Sequence, residues 1–192
     1  MSRVKTKPPA TPKRLEPLAG RIERALAQIS RLDAGSPKIL GEAMRYSLSS
    51  GGKRFRPLLC LGGAQAVGGD VRQALSVACA IELIHTYSLV HDDLPAMDNA
   101  SHRRGKPSCH RQFGEATAIL VGDALLTRAF ELLGRSEIPL RHSRGSRDGA
   151  AAFGRNGHPN ALAIVRTLGA AGGTAGLIGG QVLDLRGTGH GA

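Results

Sequence analysis

The chain has 192 residues, enough for one domain with a sizeable core. Aromatic residues make up only 3%, with no Trp, which argues against a β-sandwich and for a helical core rich in Ala and Leu. Lys and Arg total 26 against 15 Asp and Glu, a formal charge of +11, so the expected partners are anions: nucleic acid, acidic lipid or phosphorylated metabolites.

In chain order, residues 1–14 carry Arg3, Lys5, Lys7, Lys13 and Arg14 among prolines and no acid, the composition of a basic disordered tail. From Leu15 to Leu32, apolar residues at Leu18, Ile22, Leu26, Ile29 and Leu32 predict an amphipathic helix. Ser36 and Pro37 offer an N-cap and a first-turn proline for a second helix, which Gly51 and Gly52 stop. A third, short and apolar, starts at Pro57 and ends at Gly68-Gly69. Asp70 can cap a fourth, apolar almost all round from Leu75 to Val90 and therefore central. A further helix is predicted from Glu115 to Leu133, and a last one from a cap at Asn160 to Leu183. Between them, residues 135–158 lose periodicity and read as irregular. No strand period emerges, so the expected fold class is all-α, a bundle of roughly six helices.

The basic excess is concentrated in the tail and in Arg135, Arg141, Arg144 and Arg147, without a periodic basic face or interleaved aromatics, which argues against nucleic acid. Cys60, Cys79 and Cys109 show no CxxC spacing, which points to a reducing cytoplasm rather than disulfides or zinc. The N-terminus lacks the apolar core of a signal peptide, and residues 161–183 read as too weakly apolar for a membrane span.

The chemistry gathers where the fourth helix ends. Asp92, Asp93 and Asp98 fall within seven residues, and Arg103, Arg104 and Lys106 follow at once. Carboxylates this close repel unless a cation joins them, and hard oxygen ligands with room left for substrate phosphates suit Mg²⁺. Arginine suits the phosphate oxygens. Asp92 and Asp98 are the expected metal or diphosphate residues, with Asp93 a helix-end or supporting carboxylate. His85, Ser88 and Asp92 share one helical face, His85 roughly 10 Å from Asp92. A polar stripe on an apolar helix must face a wet cavity or a polar partner. The second string is Gly51-Gly52-Lys53-Arg54-Phe55-Arg56-Pro57, in which glycines permit close approach and Lys53 and Arg56 project from a helix start. The two strings together describe one anion site built from cations and one built around metal.

These strings, with Ile84–Asp98, Arg103–Pro107, Phe113–Ala116, Gly122–Leu125 and, further on, Gly179-Gly180-Gln181-Val182-Leu183-Asp184-Leu185, resemble the trans-isoprenyl diphosphate synthases (polyprenyl synthetases) of the bacterial farnesyl and geranylgeranyl type. The resemblance implies an all-α isoprenoid synthase bundle and Mg²⁺-dependent head-to-tail condensation of isopentenyl diphosphate with an allylic diphosphate. It implies that Asp92 and Asp98 hold Mg²⁺, that Arg103 contacts the allylic diphosphate, and that Lys53, Arg56, His85 and Arg104 bind isopentenyl diphosphate. Gln181 and Asp184 would lie near the metal side. Tyr87, five residues before Asp92 and over a turn deeper, would floor the cavity, and the family pattern then implies a short, C15 product.

The chain departs from that pattern in three places. Asn99-Ala100-Ser101-His102 replaces the acids usual before Arg-Arg, residues 135–158 do not look like the family's helical segment, and the second Asp-rich motif is absent. The expectation is therefore an incomplete, C-terminally truncated bundle over residues 15–192 with some apolar faces uncovered. Three functional readings follow: an active prenyltransferase, as a homodimer or with a completing subunit; an inactive fragment or diphosphate-binding subunit; and, favoured only by net charge, a basic nucleic-acid-associated protein.

Overall fold

The computed structural model describes residues 15–31, 34–134 and 161–187. The basic tail, the irregular stretch at 135–158 and the cap at Asn160 lie outside the described residues. Eight helices are described: α1 Glu16–Ile29, α2 Lys38–Leu48, α3 Phe55–Ala66, α4 Val71–Asp92, α5 Cys109–Phe113, α6 Glu115–Gly134, α7 Ala161–Gly172 and α8 Leu177–Gly187. The fold class is the expected all-α bundle.

α4 is the axis. Its buried side chains, among them Leu75, Ala78, Cys79, Leu83, Tyr87 and Val90, point in several directions because α1, α2, α3 and α6 all pack around it. α6 lies along it, burying Ala118, Val121, Gly122, Leu125, Ala129, Leu132 and Leu133. Small residues at 118, 122 and 129 let the two backbones approach. Gly122 shows how closely: a Cβ there would stand 2.0 Å from Nε2 of His91. That nitrogen donates to the Ile119 carbonyl at 3.1 Å, so the imidazole on α4 occupies the space that glycine leaves on α6. The amphipathic helices α1 and α2 add Ile22, Leu26, Met44 and Leu48 to the core. Leu83 and Leu125, fully buried, would each cost about 2–5 kcal/mol on truncation to Ala.

The local signals are mostly borne out. Asp70 caps α4, its carboxylate accepting from the Arg72 amide at 2.8 Å. Four details differ. Pro37, not Ser36, is the N-cap of α2, and no side chain bonds there. A two-residue antiparallel ladder pairs His102 with Pro107 and Arg103 with Lys106, β1 His102–Arg103 and β2 Lys106–Pro107, where no strand was expected. It is too short to show a period. The five-residue α5 was also not expected. The last helix is two, α7 and α8, because the glycine-rich turn 173–176 interrupts it.

The 161–187 stretch is also more apolar than the sequence reading allowed: by composition and total length it could cross a membrane, as could α4. α4 is mostly buried in the core. α7 and α8, at 12 and 11 residues, each extend about 16–18 Å, short of a hydrocarbon core of about 30 Å. Ile164, Val165 and Leu168 of α7 lean on the core, whereas Leu177, Ile178, Val182 and Leu183 of α8 are exposed. Phe55 and Leu59 of α3 are exposed as well.

Candidate functional site

Three segments build the site: the C-terminal half of α4, the ladder that follows it, and the loop leading into α3. At the end of α4 the chain folds back. The Asp98 amide donates to the Asp92 carbonyl at 2.9 Å, and Met97 and Asn99 both donate to Leu94, at 2.9 and 3.0 Å. This turn returns Asp98 to the vicinity of Asp92. Burial raises the Asp92 pKa above the usual carboxylate range, and the nearby Asp98 charge raises it further. Asp92 is half-buried and Asp98 exposed.

Asp93 points the other way. It is buried, and its carboxylate accepts from Arg103 through Nε, 3.1 Å from each oxygen, and through a second guanidinium nitrogen. The bonds from Asp93 hold the Arg103 pKa above its ordinary value. Asp93 thus ties β1 to the end of α4. The ladder is anchored on its other side by Tyr46 of α2, whose hydroxyl donates to the Pro107 carbonyl at 2.8 Å and whose ring meets Phe113 edge-on.

The cations gather one to two turns earlier on α4. Arg56 stands 3.3 Å from Nε2 of His85. A guanidinium can only donate, so that nitrogen is the acceptor and Nδ1 carries the proton. Burial, then Arg56, Arg104, Arg103 and Arg54, push the His85 pKa down to about 4, so the ring is neutral at pH 7. Arg104 lies against the loop. A Cβ on Gly52 would meet its guanidinium at 2.3 Å, and Gly52 has φ 147°, a conformation other residues rarely adopt. Burial and the charges of Arg54, Arg103 and Arg56 lower the Arg104 pKa. Lys53 is exposed beside them. One guanidinium with its proton affinity lowered by burial and neighbouring arginines is an arrangement that an anion relieves.

The sequence reading missed Arg54. Its guanidinium is buried and bonds Glu23 of α1 at 2.6 Å, Glu82 of α4 at 2.8 Å and the Leu48 carbonyl at 2.6 Å. The available signal was Glu82, a carboxylate in the apolar middle of the central helix, which needs a buried cation. Tyr87 is buried, its ring edge-on to His91 at 5.9 Å, and burial followed by the Asp92 charge raises its pKa. Of the residues named from sequence, Lys53, Arg56, His85, Asp92, Asp93, Asp98, Arg103 and Arg104 come from these three adjoining segments. Gln181 and Asp184 stand on α8, half-buried and exposed respectively, against α7.

Among the described residues, no three His, Cys, Asp or Glu side chains converge into a ready-made metal cage. Two carboxylates kept close by a backbone turn, one with a raised pKa, instead fit an ion that takes the rest of its oxygen ligands from phosphate and water. Mg²⁺ is that kind of ion.

Residues 37–190 match the polyprenyl synthetase family model. The chain is 47% identical over 169 residues to the farnesyl diphosphate synthase of Geobacillus stearothermophilus, covering 88% of this chain and 51% of that protein. It is 43% identical to a chloroplastic geranylgeranyl pyrophosphate synthase of Capsicum annuum, covering 88% and 42%. A crystal structure of an FPP/GFPP synthase from Zymomonas mobilis superposes with a TM-score of 0.75 at 40% identity, over 90% of this chain and 56% of that one. The chain thus spans about half the length of the relatives it matches, or less.

Proposed function

The chain belongs to the polyprenyl synthetase family, and from that premise we propose that it condenses isopentenyl diphosphate head-to-tail with an allylic diphosphate, in a Mg²⁺-dependent reaction giving a short, farnesyl-length product. The observation that carries this reading is the division of one helix into two kinds of anion site. The end of α4 and the turn that follows it offer the carboxylates Asp92 and Asp98, and the helical turns before them face the cations Arg56 and Arg104 around a neutral His85.

Lys53, Arg56, His85 and Arg104 bind the isopentenyl diphosphate by charge-assisted hydrogen bonds. His85 contributes no charge; it holds Arg56. Arg103, oriented by Asp93, approaches the allylic diphosphate, and Asp92 and Asp98 hold Mg²⁺ on it. When bound, the metal supplies Lewis-acid stabilisation of the departing diphosphate. The C–O bond of the allylic substrate breaks and its electrons leave with diphosphate, where Arg103 stabilises the growing negative charge. The double bond of isopentenyl diphosphate attacks the allylic carbon, and the proton lost from the adduct passes to the released diphosphate. Half-buried Ile84 and Leu89 on α4 offer the apolar lining that keeps water from the cation. Gln181 and Asp184 of α8 are assigned a supporting role on the metal side. Buried Tyr87 supports a short product by limiting depth beneath Asp92. Exposed Leu120 and Phe130 on α6 support a second subunit as the further partner.

The test is incorporation of radiolabelled isopentenyl diphosphate into acid-labile prenyl product, with a C5 or C10 allylic co-substrate and Mg²⁺. The expected result is incorporation that EDTA abolishes and that Asp92→Asn reduces by more than about a hundredfold. Incorporation unaffected by EDTA would remove the metal from the reading. Binding of isopentenyl diphosphate without any condensation would leave a diphosphate-binding subunit.

A further inference from the structure

We infer that Arg54 is a positioning residue for the isopentenyl diphosphate site, a buried clamp that sets where Lys53, Arg56 and Arg104 stand relative to His85. The inference rests on the binding roles proposed above.

The loop from Gly51 to Arg54 does not hold its shape by local preference. Gly51, Gly52 and Arg54 have φ values of 83°, 147° and 48°. The first two are glycines, but Arg54 is a non-glycine L residue in the left-handed region, which costs free energy that the surroundings must offset. The surroundings are its own side chain's partners. The side chain, 5% exposed, donates to Glu23, Glu82 and the Leu48 carbonyl, so it joins α1, α2 and α4 to the start of α3. A planar fork with donors on three separate nitrogens can do this; a lysine's three donors sit on one nitrogen and do not match those positions.

What the clamp fixes is the site. Lys53 and Arg56 are one residue before it and two after it. Glu82 lies one turn before His85 on α4, and the bond to Glu82 therefore brings the loop to the same stretch of helix that carries the imidazole. Arg56 then reaches His85 at 3.3 Å. Arg104 packs its guanidinium over the α-carbon of Gly52, two residues before the clamp, and so takes its place from the same loop. The electrostatics agree. Two carboxylates face one guanidinium, and the surplus negative charge offsets the crowding of the remaining cations, since Glu82 raises the Arg104 pKa against the arginines that lower it. The Asp92–Asp98 turn makes none of these contacts, so the clamp governs one diphosphate and not the other.

Arg54→Lys keeps the charge and removes the fork. Isothermal titration calorimetry with isopentenyl diphosphate should find affinity weakened about tenfold, and dimethylallyl diphosphate with Mg²⁺ weakened less than about threefold. Glu23→Gln keeps one acceptor at a half-exposed position, so it should fold, and should shift isopentenyl diphosphate in the same direction by about threefold. Amide exchange at Leu58, whose N–H donates to the Arg54 carbonyl at 3.0 Å, should speed up in Arg54→Lys. Equal weakening of both diphosphates in a variant with wild-type circular dichroism would overturn the inference, as would Leu58 exchange unchanged from wild type. If the wild-type chain binds neither diphosphate, the functional reading fails, and the exchange measurement still decides whether Arg54 holds the loop.

Discussion

Burial and then four arginines push the proton off His85, and this is measurable. The ring's pKa falls from 6.5 to about 4 in the fold, with burial the first cause and Arg56 the next. Between those values the unfolded chain binds more protons than the native one. The contribution of His85 to stability is therefore fully present above about pH 6.5 and lost as pH falls through about 4. The expected NMR titration of its ring has a midpoint near 4, moved upward by bound diphosphate, because an anion among the arginines favours the imidazolium. A midpoint at the ordinary histidine value would mean that the cations do not converge. Gly52 provides a second test at this scale. Gly52→Ala places a Cβ 2.3 Å from the Arg104 guanidinium at a positive φ. Arg104 must move, and calorimetry should find isopentenyl diphosphate affinity about tenfold weaker, with a stability loss of about 1 kcal/mol. Arg54 was illegible from sequence for a simple reason: Glu23 and Glu82, its partners, lie 31 and 28 residues away. Asp92, Asp98 and Arg103 were legible because their crowding is local and needs a cation or anion at once.

Among the elements, α4 and α6 decide the shape of the site. Their packing depends on the His91 ring filling the space above Gly122. Gly122→Ala should overpack this contact and cost about 2 kcal/mol, read as a fall in melting temperature of roughly 4–8 °C. A melting temperature equal to wild type would mean that the helices have room to part. Tyr87, packed edge-on to the same imidazole, stands one turn before it on α4. Tyr87→Ala should open the depth beneath Asp92, and chromatography of the prenyl products should then show longer chains; unchanged length would remove Tyr87 as the floor. The long helices could be read from sequence because three and a half turns or more repeat the 3.6-residue pattern. α5 and the two-residue ladder are too short to repeat anything. The break at 173–176 was hidden because apolar residues continue on both sides of it, Leu168 before and Leu177 after.

At the scale of the whole molecule, a formal charge of +11 first suggested any anion. Within the site, Arg54 is held by two carboxylates and Arg103 by Asp93, whereas Arg56, Arg104 and Lys53 are the cations proposed for isopentenyl diphosphate. The central claim is that one helix serves two diphosphates through separate chemistries, cations before and carboxylates at its end. Calorimetric titration of Arg56→Ala and Asp98→Asn with each substrate tests it most directly. The account predicts that Arg56→Ala weakens isopentenyl diphosphate at least about tenfold and leaves Mg²⁺–dimethylallyl diphosphate within about threefold, and that Asp98→Asn does the reverse. Equal weakening of both ligands by either variant would contradict it.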